Sequence, residues 1–301
     1  MEMTKQFVAA IGLGKPEDAL IPGAAESGRV TPFGTGRRSL ESATPPRTSP
    51  WLLRWFTWYC RRYLRRHFHS LRVSRAGLPP HTTKRPLVIY SNHASWWDAL
   101  VCLVLKDIVF PGHTAFAPID AAMLERYKFF RYLGFFGVEQ QSPRGAARFL
   151  RISEAVLRSP RNLLALTPQG SFADVRQRPV QFAAGIGHLA ARVPHALFVP
   201  VAIEYVFWEE RLPEILVRFG PAVDTRPREA GPFDAGGWTR LFEQKLADAQ
   251  DALAAEAQRR RTNDFETLLR GGAGQGGIYD AWRAFRARCR GEAFHREHGN
   301  K

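Results

Sequence analysis

His93 and Asp98 stand five residues apart in Ser91-Asn92-His93-Ala94-Ser95-Trp96-Trp97-Asp98, directly after the apolar string LVIY. A neutral imidazole accepts protons near neutral pH. A carboxylate on one ring nitrogen fixes the tautomer and raises the basicity of the other. Such a pair can deprotonate an alcohol. The spacing imposes a condition, because residues five apart in a continuous helix point about 140° apart and cannot meet. A turn before the helix removes the conflict. Ser95 as N-cap with Asp98 three residues on matches a capping box, and it lets His93 fold back onto Asp98. The same pattern also suits a helix that is merely capped, with a histidine in its turn. Of the nine histidines, only His93 has an acid five residues later.

Alternating elements surround that turn. LVIY (87–90), TAFAP (114–118), LLALT (163–167), LFVPVAIEY (197–205) and ILVRF (215–219) read as strands. Helical periodicity fills 96–106, 119–132, 144–158, 180–192 and 238–261. This order predicts an α/β fold, a two-layer to three-layer sandwich around a mixed, largely parallel sheet.

The chain of 301 residues suits one large α/β domain with decorations, and 45% apolar with 12% aromatic residues exclude whole-chain disorder. Cys60, Cys102 and Cys289 are too few and too scattered for a disulfide framework or a Cys-rich zinc site, so a reducing compartment is expected. Residues 1–49, rich in Gly, Pro, Ser, Thr and Ala, are expected to be a disordered extension, and 50–261 the α/β domain. Residues 262–301, with GGAGQGG, are expected to form a flexible joint and a last helix over 279–290. No internal repeat is present. No stretch reaches the roughly 20 apolar residues that cross a bilayer, and the first residues do not read as a secretory signal. The expected location is peripheral, on the cytoplasmic face of a membrane.

Forty-three Lys and Arg against 28 Asp and Glu give a net charge of +15, which predicts acidic partners. The charge gathers near WLLRWFTWYCRRYLRRHF at 51–68: between Glu41 and Asp98 there are ten Lys and Arg and no acid. At 100° per residue, Trp51, Leu52, Trp55, Phe56, Trp58, Tyr59 and Tyr63 share one broad face, with Arg54, Arg61 and Arg65 on the other. A tryptophan-rich face beside an arginine face is expected of an interfacial helix on anionic lipid. The alternative is a helix packed on the domain with its arginines solvated.

The turn resembles the first motif, N-H-x4-D, of the glycerolipid acyltransferases, the lysophosphatidic-acid and glycerol-3-phosphate acyltransferase superfamily. Three further blocks follow in that family's order. Leu133-Gly134-Phe135-Phe136-Gly137-Val138-Glu139-Gln140 occupies the second place. Thr167-Pro168-Gln169-Gly170-Ser171 occupies the third, followed by Phe182 and Gly185, where the family has F-K-x-G. Val199-Pro200-Val201-Ala202-Ile203 resembles the fourth, and Arg218-Phe219-Gly220-Pro221 the strand end after it. The resemblance spans about residues 50–225.

The resemblance implies an acyltransferase-like fold and a place in lipid metabolism, phospholipid biosynthesis in particular. An acyl thioester, acyl-CoA or acyl carrier protein, serves as co-substrate with no bound cofactor and no metal. His93 is the implied general base and Asp98 its orienting partner, with no acyl-enzyme. Backbone N–H groups of Pro168-Gln169-Gly170 are implied oxyanion donors, and Asn92 a further positioning residue. Two departures bear on the acceptor. Gln140 stands where the second motif ends in arginine, and Gln169 and Phe172 stand where the third carries Glu and Arg. A phosphate monoester calls for charge-assisted arginine contacts. Arg144, Arg176 and Arg178 are substitute candidates, with surface solvation as the plainer reading. The expected acceptor is a lipid hydroxyl without a simple phosphomonoester.

Three other classes compete. A non-catalytic lipid-binding or membrane-tethering protein fits the altered second and third motifs. A nucleic-acid partner is not expected, because no base-reading motif accompanies the charge. A metal hydrolase lacks a second cluster at ligand spacing.

Overall fold

Period-two alternation in the central strands separates two apolar surfaces. Leu87 packs on one side of the sheet and Val88 and Tyr90 on the other, because successive strand residues point to opposite faces. The structure is a computed structural model and describes residues 44–80, 84–226 and 233–273.

The elements run α1 (Pro50–His67), β1 (Ser70–Ser74), β2 (Leu87–Ser91), α2 (Asp98–Val109), β3 (Thr114–Asp120), α3 (Ala121–Arg126) and a 3₁₀ turn (Lys128–Tyr132). They continue with β4 (Phe135–Val138), α4 (Pro143–Val156), β5 (Asn162–Leu166), α5 (Gly185–Arg192), β6 (Leu197–Val206), β7 (Glu214–Phe219), β8 (Val223–Asp224), α6 (Ala235–Arg259) and β9 (Phe265–Arg270). One nine-stranded sheet has the order β4-β3-β5-β2-β6-β7-β1-β9, with β8 beside β6. The run from β4 to β6 is parallel, and so is β7 with β1. β6 with β7, β6 with β8, and β1 with β9 are antiparallel.

α1, α2 and the 3₁₀ turn cover one face; α4, α5 and α6 cover the other. The layers are therefore helix, sheet, helix, the three-layer form of the expected sandwich. β2 lies at the centre between β5 and β6, so its carboxyl end projects where two crossovers leave the sheet.

Several expected boundaries move. The expected helix over 119–132 is β3's end, α3 and a 3₁₀ turn, and 180–184 precede α5 rather than starting it. The strands β1, β4, β8 and β9 were not anticipated. The domain does not stop at 261, because Phe265–Arg270 pairs with β1 as the edge strand. The first glycines of the expected joint are tied down: the Gly271 N–H donates to the His69 carbonyl at 2.7 Å and that of Gly272 to the Arg65 carbonyl at 3.1 Å. A Cβ at Gly271 would stand 2.0 Å from the Phe68 carbonyl oxygen, so only glycine passes there. At the other end Ser49 caps α1 and its N–H donates to the Tyr132 carbonyl, so the domain begins before residue 50. Residues 1–43, and the expected helix over 279–290, lie outside the described residues.

Candidate active site

β2 ends in a side chain that behaves like backbone. The Asn92 amide donates to the Ile203 carbonyl at 2.9 Å and accepts the Ile203 N–H at 2.8 Å. It adds a rung to the β2–β6 ladder just as the chain leaves the sheet. Asn92 is therefore committed to the scaffold and does not face a substrate carbonyl, contrary to the expected positioning role.

His93 follows in the turn. Its Nδ1 lies 2.9 Å from Asp98 Oδ2. A carboxylate only accepts, so Nδ1 carries the hydrogen and Nε2 keeps the free lone pair. The Asp98 side chain is 1% exposed, and three donors meet it: His93, the Ser95 N–H at 2.9 Å and the Tyr205 hydroxyl at 2.5 Å. The capping box forms by half. Ser95 Oγ accepts from the Trp97 N–H at 3.3 Å, while the Asp98 N–H turns to the Ser95 carbonyl at 3.1 Å. α2 consequently starts at Asp98, which leaves residues 92–97 as the turn that the pair requires.

Tyr205 escaped the sequence reading. It stands two residues beyond Ile203 on β6, hence on the same face. Burial, then the Asp98 charge, holds its phenol well above the usual tyrosine range, so it remains a donor.

The turn after β5 grips His93 from the other side. The Gln169 side-chain carbonyl accepts the His93 N–H at 2.8 Å, and the His93 carbonyl accepts the Ala173 N–H at 2.9 Å. The Gln169 side chain thus anchors the histidine's backbone. Pro168 has no N–H, and that of Gly170 donates to the Thr167 carbonyl at 3.1 Å, closing a turn with Gly170 at φ +72°. Of the three expected oxyanion donors, only the Gln169 N–H is without a partner among the described residues. The Phe172 ring lies 4.5 Å from the His93 ring and is 62% exposed.

A cavity of about 470 Å³ opens at this point. Ala99, Cys102, Leu103 and Lys106 line it from α2, a stripe at helical spacing that Phe110, the C-cap, continues. Ile89, Ala115, Ala117, Leu163 and Ala165 face them from the sheet. Exposed Ala99 and Phe172 mark the mouth beside His93; buried Phe110, Leu163 and Phe219 mark the closed end. Burial pushes the Cys102 thiol up to about 12, which disqualifies it as a nucleophile near neutral pH.

No family model matches the chain, and no curated protein matches it.

The four acceptor candidates do not converge on the dyad. Gln140, just after β4, and Arg144, in the first turn of α4, are exposed and outside the cavity wall. Arg176 pairs with Asp174 at 2.7 Å, and Arg178 pairs with Asp251 and donates to the Val175 and Gln177 carbonyls. Both line a separate cavity of about 160 Å³. After Phe172 the chain runs away from the mouth toward α6, which carries these arginines off.

α1 differs from its expected division. Phe56, Thr57, Cys60 and Leu64 form the buried stripe. Trp51 and Trp58, 75% and 58% exposed, share the outward arc with Arg54 and Arg65 instead of opposing them. Arg61 pairs with Asp107 at 2.6 Å, so it belongs to the domain surface. Trp55, Tyr59 and Tyr63 stack in sequence at 6.3 and 5.8 Å, and Tyr63 lies 5.5 Å from Trp97 in the His93 turn. Among the described residues no group of three or more His, Cys, Asp or Glu is arranged to hold a metal, and no helix is long and apolar enough to cross a membrane.

Proposed function

We propose that the protein is a membrane-peripheral O-acyltransferase that moves a fatty acyl group from an acyl thioester to a lipid hydroxyl. The observation that carries this reading is the buried, triply held Asp98 behind His93, at the mouth of an apolar cavity of about 470 Å³. That volume lies within the range of ligand pockets. The acceptor hydroxyl gives its proton to His93 Nε2 as its oxygen attacks the thioester carbonyl. Asp98 steadies the imidazolium that forms. The Gln169 N–H faces the developing oxyanion. Collapse expels the thiolate, which takes the proton back from His93.

The ordered motifs resembling the glycerolipid acyltransferases support the same chemistry. The acyl chain occupies the cavity, and the donor is acyl-CoA or acyl carrier protein. The acceptor is neutral or zwitterionic, because no arginine lines the cavity. α1 rests on anionic lipid through Trp51, Trp55, Trp58, Arg54 and Arg65, on the cytoplasmic face. Full-length protein with acyl-CoA, acyl carrier protein and a panel of lipid acceptors tests this by mass spectrometry of the products. A product formed by wild type and absent with His93→Ala is the expected result. Equal yield from both rejects the mechanism.

Phe172 against the His93 ring favours one second reading, a lipid-binding protein without turnover. Lipid bound stoichiometrically and never acylated would decide for it.

A further inference from the structure

Lys106 is the one charged residue lining the cavity besides His93 and Asp98. It follows Asp98 by eight positions, about 12 Å down α2 at about 1.5 Å per residue. It is 9% exposed, and its ammonium makes no hydrogen bond or ion pair among the described residues. The adjacent carboxylate, Asp107, is taken by Arg61 at 2.6 Å. His113, behind the cavity wall, is close enough for the Lys106 charge to add to burial in lowering its pKa, and it does not supply the ammonium with the acceptor that the cavity lacks. Around them the closed end is apolar: Leu105, Phe110, Leu163 and Phe219.

An unpaired ammonium in such surroundings is costly unless something accepts its hydrogens. A methyl-ended chain offers nothing. An oxygen at the chain's far end would meet Lys106 after roughly ten carbons, by bond lengths of about 1.5 Å in a zigzag. Building on the acyltransferase reading, we propose that Lys106 receives an oxygen function at the distal end of the bound acyl chain. The preferred donor is then a medium-length acyl thioester that ends in a carboxylate or a hydroxyl.

Binding to the full chain carrying His93→Ala tests this without turnover. Decanoyl-CoA, ω-hydroxydecanoyl-CoA and the mono-CoA thioester of decanedioic acid are titrated in parallel. At least one oxygenated thioester should bind about 10–100-fold more tightly than decanoyl-CoA, and the stronger of the two identifies the terminal group. Lys106→Met should erase the difference, and Lys106→Arg, which keeps a cationic donor at the same depth, should preserve it. Decanoyl-CoA binding as tightly as both oxygenated thioesters, with Lys106 present, overturns the proposal and leaves the acyltransferase reading standing. Failure of all three to bind overturns both.

Discussion

Tyr205 donates to Asp98 Oδ1 at 2.5 Å, on the carboxylate oxygen opposite the one that meets His93. The carboxylate is thereby held at both oxygens, and its plane is set by β6 rather than by the turn alone. In the proposed mechanism Tyr205 acts through Asp98, as a positioning residue.

Tyr205→Phe should lower kcat about tenfold with KM nearly unchanged, because a charge-assisted hydrogen bond contributes about 1.5–3 kcal/mol. Steady-state kinetics decide it, and an unchanged kcat removes Tyr205 from the mechanism. Tyr205 and Tyr90 also set an alkaline limit, since burial raises both phenols above the ordinary 10.0. The native chain keeps protons that the unfolded chain releases. Their stabilisation is intact below pH 10 and falls as pH rises beyond it. Denaturant titrations from pH 8 to 11 should show a loss above about 10 that Tyr205→Phe reduces.

His93→Ala should abolish acyl transfer and lower the thermal midpoint only modestly, since buried Asp98 loses one of its three donors while the Ser95 N–H and the Tyr205 hydroxyl still hold it. Asp98→Asn should cut kcat about 10²–10⁴-fold, because the tautomer is no longer enforced. It should also destabilise, as an amide replaces the carboxylate that met three donors. Kinetics and calorimetry on the pair separate the two effects.

Gln169 offers a sharper contrast. Gln169→Ala strands the His93 N–H and should cost about 1–3 kcal/mol of stability along with activity. Gln169→Glu keeps an accepting oxygen at the same reach and should retain most of both. Equal damage from the two would place the residue's role in its amide and not in holding His93.

Arg54→Glu with Arg65→Glu should abolish binding to anionic vesicles at an unchanged thermal midpoint, at about 1 kcal/mol for each basic residue at the surface. Wild-type binding should weaken as salt rises. Arg61→Glu should instead lower the thermal midpoint, because it sets a carboxylate against Asp107. Vesicle co-sedimentation and thermal melts distinguish the two groups.

A neutral or zwitterionic hydroxylated lipid should exceed lysophosphatidic acid by about 10²–10⁴ in kcat/KM, the cost of two missing charge-assisted contacts. Efficient transfer to lysophosphatidic acid, lost with Arg144, Arg176 or Arg178, would overturn this.

The sequence made the dyad legible because its two members are local: five residues and one turn decide their meeting. The strands β2, β5, β6 and β7 were legible because they are buried on both faces and read as apolar runs. β1 and β9 were not. Arg72 interrupts β1 because it pairs with buried Glu214, a partner far off in the chain, and Glu266 interrupts β9 because the edge strand keeps one side in water. Partners far apart in the chain were invisible in principle. Nothing near Arg178 announces Asp251, and nothing near Asp98 announces Tyr205. The tryptophans of α1 share an outward arc with Arg54 and Arg65 instead of opposing them. Phe56 is buried, because an arc wide enough to hold all seven aromatic and aliphatic residues must wrap onto the packed side.

The contacts that hold the His93 turn differ widely in sequence separation, and that orders their assembly. His93 and Asp98 are five positions apart, whereas Gln169 reaches His93 across 76 and Tyr205 reaches Asp98 across 107. Short loops close sooner and at less entropic cost than long ones. The imidazole and carboxylate can therefore find each other in a chain that has yet to collapse, but they stay loose until β5 and β6 have docked on both flanks of β2. The fully held His93–Asp98 pair is accordingly a late product of folding, and a chain halted short of that docking carries the pair without the geometry.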